Sequence, residues 1–173
     1  PDSLDWVCYW ADAVSMLLLA PLFMHFALGF PKREPSVLRI QFGNWVFGFV
    51  YLPAVVLGLS QVAVVSGSGL GSTFSSSLEL LWKLELVYLA ACVISGLSIM
   101  IIELQRVPSV TAKRQLRWVV SGAILGGLPF AVGYALPFSL GFDPIPFHLT
   151  AIPLGLIPLA FASAIVHYRL RDV

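Results

Sequence analysis

LTAIPLGLIPLAFASAIVHYRLRDV, residues 149–173, is an apolar run that passes without a break into a short charged tail. An α-helix rises ~1.5 Å per residue and a hydrocarbon core is ~30 Å thick, so Leu149 to Val166 is about the shortest segment able to cross one. His167, Tyr168, Arg169 and Arg171 then supply the aromatic and basic side chains that settle at a headgroup interface. Leu170 and Arg171 are good helix formers, and no residue near Val173 calls for a stop. The expectation is an output helix that continues past the end of this chain.

The rest of the chain shares the apolar character. Of its 173 residues, 58% are hydrophobic and 11% charged, and the mean hydropathy is +0.90. A soluble domain has about a quarter of its residues charged, so a soluble fold is excluded. The net charge of +1 decides little, because in a membrane protein the placement of charge matters more than its sum. Cys8 belongs near a surface and Cys92 inside a span, so no disulfide between them is expected. Pro1 opens the chain without a basic n-region, unlike a signal peptide, and a removed upstream segment is expected.

Four further apolar runs precede the last one. Ala11 to Phe30 follows Trp6, Tyr9 and Trp10 and ends at Pro31-Lys32-Arg33; Phe42 to Val65 closes in the polar loop Ser66 to Ser72. Leu84 to Ile102 is led in by Ser77, Glu79, Trp82 and Lys83, and Trp118 to Leu136 follows Lys113, Arg114 and Arg117. With residues 149–166 this makes an all-α integral membrane protein of about five transmembrane helices in a single domain. Continuous rather than alternating apolarity excludes a β-barrel.

Lys32, Arg33, Arg39, Arg106, Lys113, Arg114, Arg117, Arg169 and Arg171 all fall on one side of such a bundle, and only Lys83 on the other. The positive-inside rule then puts the N-terminus outside and the C-terminus in the cytoplasm. Pro21, Pro53, Pro129, Pro137, Pro153 and Pro158 lie in or at the ends of four spans, whereas the third span has none. Hinged helices around one straight helix would follow, although proline is simply commoner in membrane helices. Gly122-Ala-Ile-Leu-Gly126 is a GxxxG pattern, read here as internal packing.

Chemistry-bearing motifs are scarce. The sequence has no HExxH, Ser-x-x-Lys, metal-spaced Cys/His cluster or P-loop, and Gly67 to Gly71 does not match a dinucleotide fingerprint. No catalytic residue, metal or cofactor is assigned, and this segment is expected to be non-enzymatic. The basic loop from Arg106 to Arg117 suits anionic lipid headgroups rather than nucleic acid.

Asp12 and Glu85 each sit about one turn inside the outer boundary, a depth at which a carboxylate needs water or a partner. Helical spacing puts Trp82, Glu85 and Tyr88 on one face of the third span, continuing through Cys92 and Ser95 or Gly96, while Asp12 shares a face with Cys8 and Ser15. The functional expectation is an outward-facing pocket for a hydrophobic or extracellular ligand, lined by Asp12, Trp82, Glu85 and Tyr88. The plainer alternative is that both acids reach headgroup water. Lys83 is placed to pair with Glu79. His25 and His167 both fall at the inner side, where haem ligation and pH sensing compete with ordinary hydrogen bonding.

His25-Phe-Ala-Leu-Gly-Phe-Pro31 with Lys32-Arg33, Arg114-Gln-Leu-Arg-Trp118 leading to Gly122 and Leu128-Pro129-Phe130, and Pro158-Leu-Ala-Phe-Ala162 leading to Tyr168-Arg-Leu-Arg-Asp-Val173 occur in this order. Together they resemble the multi-pass membrane input regions that precede bacterial sensor histidine kinases. The resemblance implies a last helix running into a dimerising hairpin and a kinase domain, hence a homodimer formed through cytoplasmic parts absent from this chain. It also implies the bacterial cytoplasmic membrane. Pro153, Pro158, Tyr168, Arg169 and Arg171 would form the output helix, bending above and held in depth below. A small transporter or permease subunit is the alternative, and would show midplane ionisable groups and paired broken helices.

Overall fold

The computed structural model describes residues 3–29, 45–67, 72–107, 110–142, 146, 149–150, 152–157, 159 and 162. Every regular element among them is helical: α1 (Ser3–Gly29), α2 (Trp45–Gly67), α3 (Ser72–Arg106) and α4 (Val110–Phe130). A π turn, Ala131–Ala135, carries α4 on into α5 (Leu136–Ser139), and a 3-10 turn follows at Ile152–Gly155. Four stretches, Ser3–Gly29, Trp45–Gly67, Ser76–Arg106 and Leu116–Ser139, are long and apolar enough to cross a membrane. The chain is a multi-pass membrane protein.

The helices do not stop where the apolar runs stop. The run expected from residue 11 begins as a helix at Ser3, and the one expected over 84–102 lies within a 35-residue helix. Apolarity marks where a helix meets lipid, but the i→i−4 hydrogen bonds continue through interfacial Trp6, Tyr9, Glu79 and Trp82 until a breaker intervenes. In the segment expected to cross as residues 149–166, Leu149 and Thr150 are helical and are followed by the 3-10 turn Ile152–Gly155 carrying Pro153, a residue with no N–H to continue an α ladder. Pro158, His167, Tyr168, Arg169 and Arg171 lie outside the described residues.

Residue pairings give the directions of the four spans. Ala20 of α1 packs in the cluster of Leu86, Leu89, Ala90 and Val93 of α3, Ala27 in that of Met100, and Gly96 approaches Phe23 and Ala27, so partner numbers rise together and α1 runs parallel to α3. Across α1 and α2, Tyr9 meets Gln61 and His25 meets Tyr51, an antiparallel pairing. Gly127 meets Val93 and Phe138 meets Trp82, so α4 with α5 runs antiparallel to α3. The spans alternate in direction. Ser3, Gly67, Ser72 and Ser139 share one end, below called the Ser3 side, and Arg106, Lys113, Arg114 and Arg117 lie at the other.

α3 is the central column. Its Leu86, Leu89, Ala90, Val93 and Leu97 pack with Ala20 of α1 and with Ala123, Phe130, Ala131 and Ala135 of the α4 strut. A second cluster at the opposite end joins Ala27, Met100, Leu116, Val119 and Val120. Small residues at the crossings let the backbones approach closely, as helix association in lipid requires where dispersion contacts rather than water exclusion hold helices together. Trp45, Phe49, Leu52, Val56 and Leu59 form an exposed stripe along α2, spaced at i, i+4, i+7, i+11 and i+14. That stripe faces lipid.

Candidate functional site

Polar side chains gather where α1, α2 and α3 meet. On α3, Glu85 is only 7% exposed, and its Oε1 has no hydrogen-bond partner. Across the interface Asp12 of α1 is exposed and within electrostatic reach of Glu85. One turn nearer the Ser3 end of α1, the Tyr9 hydroxyl accepts a hydrogen bond from Gln61 Nε2 at 3.2 Å. Gln61, on α2, is 8% exposed, and its own Oε1 is buried without a partner.

Further along α3 the seam continues through Tyr88, which donates to the Val50 carbonyl oxygen at 2.5 Å. Pro53 lacks the N–H that would close the turn beginning four residues earlier, and its ring crowds that turn. Tyr88 thus supplies a donor to a stretch of α2 that proline has loosened. Tyr51 and Cys92 both lie beside the Tyr88 hydroxyl. Tyr51 in turn is 3.2 Å from His25 Nδ1, whose ring lies 4.3 Å from that of Phe47. The result is a polar ribbon inside an otherwise apolar three-helix junction, running from Tyr9 and Gln61 to His25.

The expected site residues are only partly brought together. Successive steps of three residues turn a helix by ~300°, so Trp82, Glu85 and Tyr88 fan across ~120° of α3 instead of sharing a line. Tyr88 reaches α2 and Glu85 faces α1. Trp82, 46% exposed, turns to α5 and lies 5.2 Å from the Phe138 ring. Asp12 and Glu85 lie within electrostatic reach of each other, and Trp82 stands on the far flank. Lys83 pairs with Glu79 at 2.7 Å.

Two positions outside the expected set prove important. Gln61 is the one amide side chain within α2, and a lone amide in an apolar span is a recognisable signal because hydrocarbon offers it no partner. Gly126 carries the other: a Cβ there would lie 2.5 Å from Ile157 Cγ1 and 2.9 Å from the Pro153 carbonyl oxygen. The second glycine of the GxxxG pattern is therefore where the turn at 152–155 and Ile157 seat on α4. Among the described residues no group of three or more His, Cys, Asp or Glu side chains is placed to hold a metal ion. No protein-family model, curated protein or solved structure matches the chain.

Proposed function

We propose that the chain is the membrane-embedded signal-input and transducing domain of a bacterial sensor kinase, passing a stimulus from the outer side or the bilayer to a cytoplasmic output module through its last helix. The buried Glu85, whose Oε1 meets no hydrogen-bond partner, carries this reading. A carboxyl enclosed in an apolar junction is expensive to keep, and such groups in membrane helices mark functional sites by default. It lies between α1 and α3, so a ligand bound there acts on the contact between these two columns. The opposite face of α3 packs on α4, and α4 at Gly126 bears the segment that leads into the last helix. A stimulus at Glu85 would act through the packed contacts of α3 with α4 as far as the segment at 152–157, by helix shifts that bias two packings separated by a few kcal/mol. The N-terminus outside, the bacterial cytoplasmic membrane and dimerisation through cytoplasmic parts belong to the same proposal.

The π turn between Pro129 and Pro137 favours the permease alternative, because interrupted helices at binding sites are a transporter trait. One experiment separates the two. A single Ala inserted after Val166 rotates all that follows by ~100° and lengthens the helix by ~1.5 Å. In the full-length protein this insertion is expected to lock or invert output, and a series of one to four residues to show helical periodicity. Indifference to the series, together with solute flux into proteoliposomes that Glu85→Gln abolishes, would replace the sensor with the permease.

A further inference from the structure

The outward face of α4 changes character along its length. At ~100° per residue, Arg114, Arg117, Trp118, Leu125 and Leu128 fall within an arc of ~100°, and all five are exposed. Leu116, Val119, Val120 and Ala123, on the opposite arc, are buried. Arg114 and Arg117 are one turn apart, so their Cβ atoms are ~5–6 Å from each other. Trp118 follows at once and is 60% exposed. The stripe thus opens with two guanidinium groups and an indole and continues into leucines.

No described carboxylate forms an ion pair with either arginine. Glu103 of α3, the described acid at this end of the bundle, is 7% exposed, and the pair of Lys83 with Glu79 belongs to the Ser3 side. Along α2 the lipid-facing stripe also starts with a tryptophan at this end, Trp45, but that helix carries no cation and asks only for apolarity. On α4 the spacing suits a lipid molecule. Leu125 and Leu128 lie ~12 and ~17 Å along the axis from Arg117, and one leaflet's share of a ~30 Å hydrocarbon core is ~15 Å.

We propose that this face of α4 holds one anionic phospholipid of the adjoining leaflet, its phosphate between Arg114 and Arg117, its glycerol ester region at Trp118 and an acyl chain along Leu125 and Leu128. Guanidinium groups match phosphate oxygens in a bidentate fork, and the resulting charge-assisted bonds are the strong ones. Indole settles at the level of the ester groups. A zwitterionic lipid brings the same phosphate together with an ammonium group that the two arginines repel. Free phosphate would leave the indole and the leucines without a partner. A diffuse attraction of anionic lipid to the basic end needs charge alone, whereas this site needs the arginine fork and the face beneath it. The inference goes beyond the sensor reading and holds equally for a permease.

The test uses the full chain in phosphatidylcholine nanodiscs containing a rising fraction of phosphatidylglycerol with brominated acyl chains, which quench the indoles they touch. The part of the quenching that Trp118→Phe removes reads occupancy of this face. It should saturate at a fraction roughly tenfold lower for brominated phosphatidylglycerol than for brominated phosphatidylcholine, as two basic groups near the membrane surface provide. Arg114→Gln with Arg117→Gln should abolish the preference. Arg114→Lys with Arg117→Lys keeps the charge but not the fork, and should lose several-fold of it. Lys83→Gln, at the other end of the bundle, should change nothing, and millimolar inorganic phosphate should not displace the lipid. The substituted side chains on α4 are exposed, so folding is retained, with helicity checked by circular dichroism. Equal occupancy by the two lipids, displacement by phosphate, or a preference that the glutamines leave unmoved or the lysines preserve in full overturns the proposal.

Discussion

Replacing Gly126 with alanine tests whether the segment at 152–157 is fixed on α4 by backbone proximity. The new Cβ would stand 2.5 Å from Ile157 Cγ1 and 2.9 Å from the Pro153 carbonyl oxygen. Carbon atoms pack at ~3.5–4.0 Å, so the side-chain contact is short by ~1 Å or more. Ile157 can relieve its share by changing rotamer, but the carbonyl belongs to the backbone of the 3-10 turn and can retreat only if the turn moves. Overpacking of this kind costs about 1–3 kcal/mol. For a chain of this size that is a fall in melting temperature of roughly 2–10 °C. Thermal unfolding in detergent would read it, with cysteine pairs bridging Leu125 and Leu156 reporting the displacement. Gly126→Ala combined with Ile157→Ala should recover only part of the loss, because the carbonyl contact remains. Full recovery in the double variant, or no loss in the single one, would refute the claim that backbone apposition seats the last helix. Gly48→Ala is the control: nothing lies within 4 Å of its Cβ, so stability should not fall.

Two other outcomes are open to direct measurement. Tyr88→Phe removes the donor to the Val50 carbonyl and should cost about 0.5–1.5 kcal/mol in unfolding experiments, with the loss confined to the α2–α3 contact; loss of the bond without loss of stability would mean that lipid-side rearrangement compensates. Cysteines at Ser66 or Gly67 should react with an impermeant thiol reagent from outside intact cells, and a cysteine at Val107 should not, and labelling of both sets would overturn the orientation read from the charges.

Much of the bundle can be read from residues alone, because a continuous run of apolar side chains long enough for a bilayer has few other uses. The lengths cannot. α3 reaches from Ser72 to Arg106 although its apolar part is far shorter, since polar interfacial residues are compatible with a helix and announce no end. The parallel pairing of α1 with α3 is also invisible locally; it depends on Gly96 meeting Phe23 and Ala27, 73 and 69 residues earlier in the chain. Of the candidate site, Glu85 and Asp12 declare themselves as carboxylates in apolar surroundings; Glu85 is buried and Asp12 is exposed within electrostatic reach of it. Trp82 was grouped with them by spacing, but a step of three residues falls short of a full turn, and over two steps the shortfall sends it to another helix. Gln61 as a lone amide and Gly126 as half of a GxxxG pattern are locally visible, but their partners, Tyr9 for the one and Pro153 with Ile157 for the other, lie on distant segments that no local pattern names.

The π turn at Ala131–Ala135 gives the strut that follows α4 a phase of its own. Ala123, Gly127, Ala131 and Ala135 recur at intervals of four, and all face the core. In a regular α-helix each such interval overshoots a full turn by ~40°, so a line of small residues would wind away from α3. The wider turn, closed by the Leu136 N–H on the Ala131 carbonyl five residues back, takes up part of that drift and keeps Ala131 and Ala135 buried. Geometrically this is a dislocation in the helical lattice, and a dislocation is a property of the hydrogen-bond pattern rather than of any one side chain. Removing one residue from the stretch would anneal it into a regular α-helix while leaving both flanks, and Phe138 against Trp82, close to their present register.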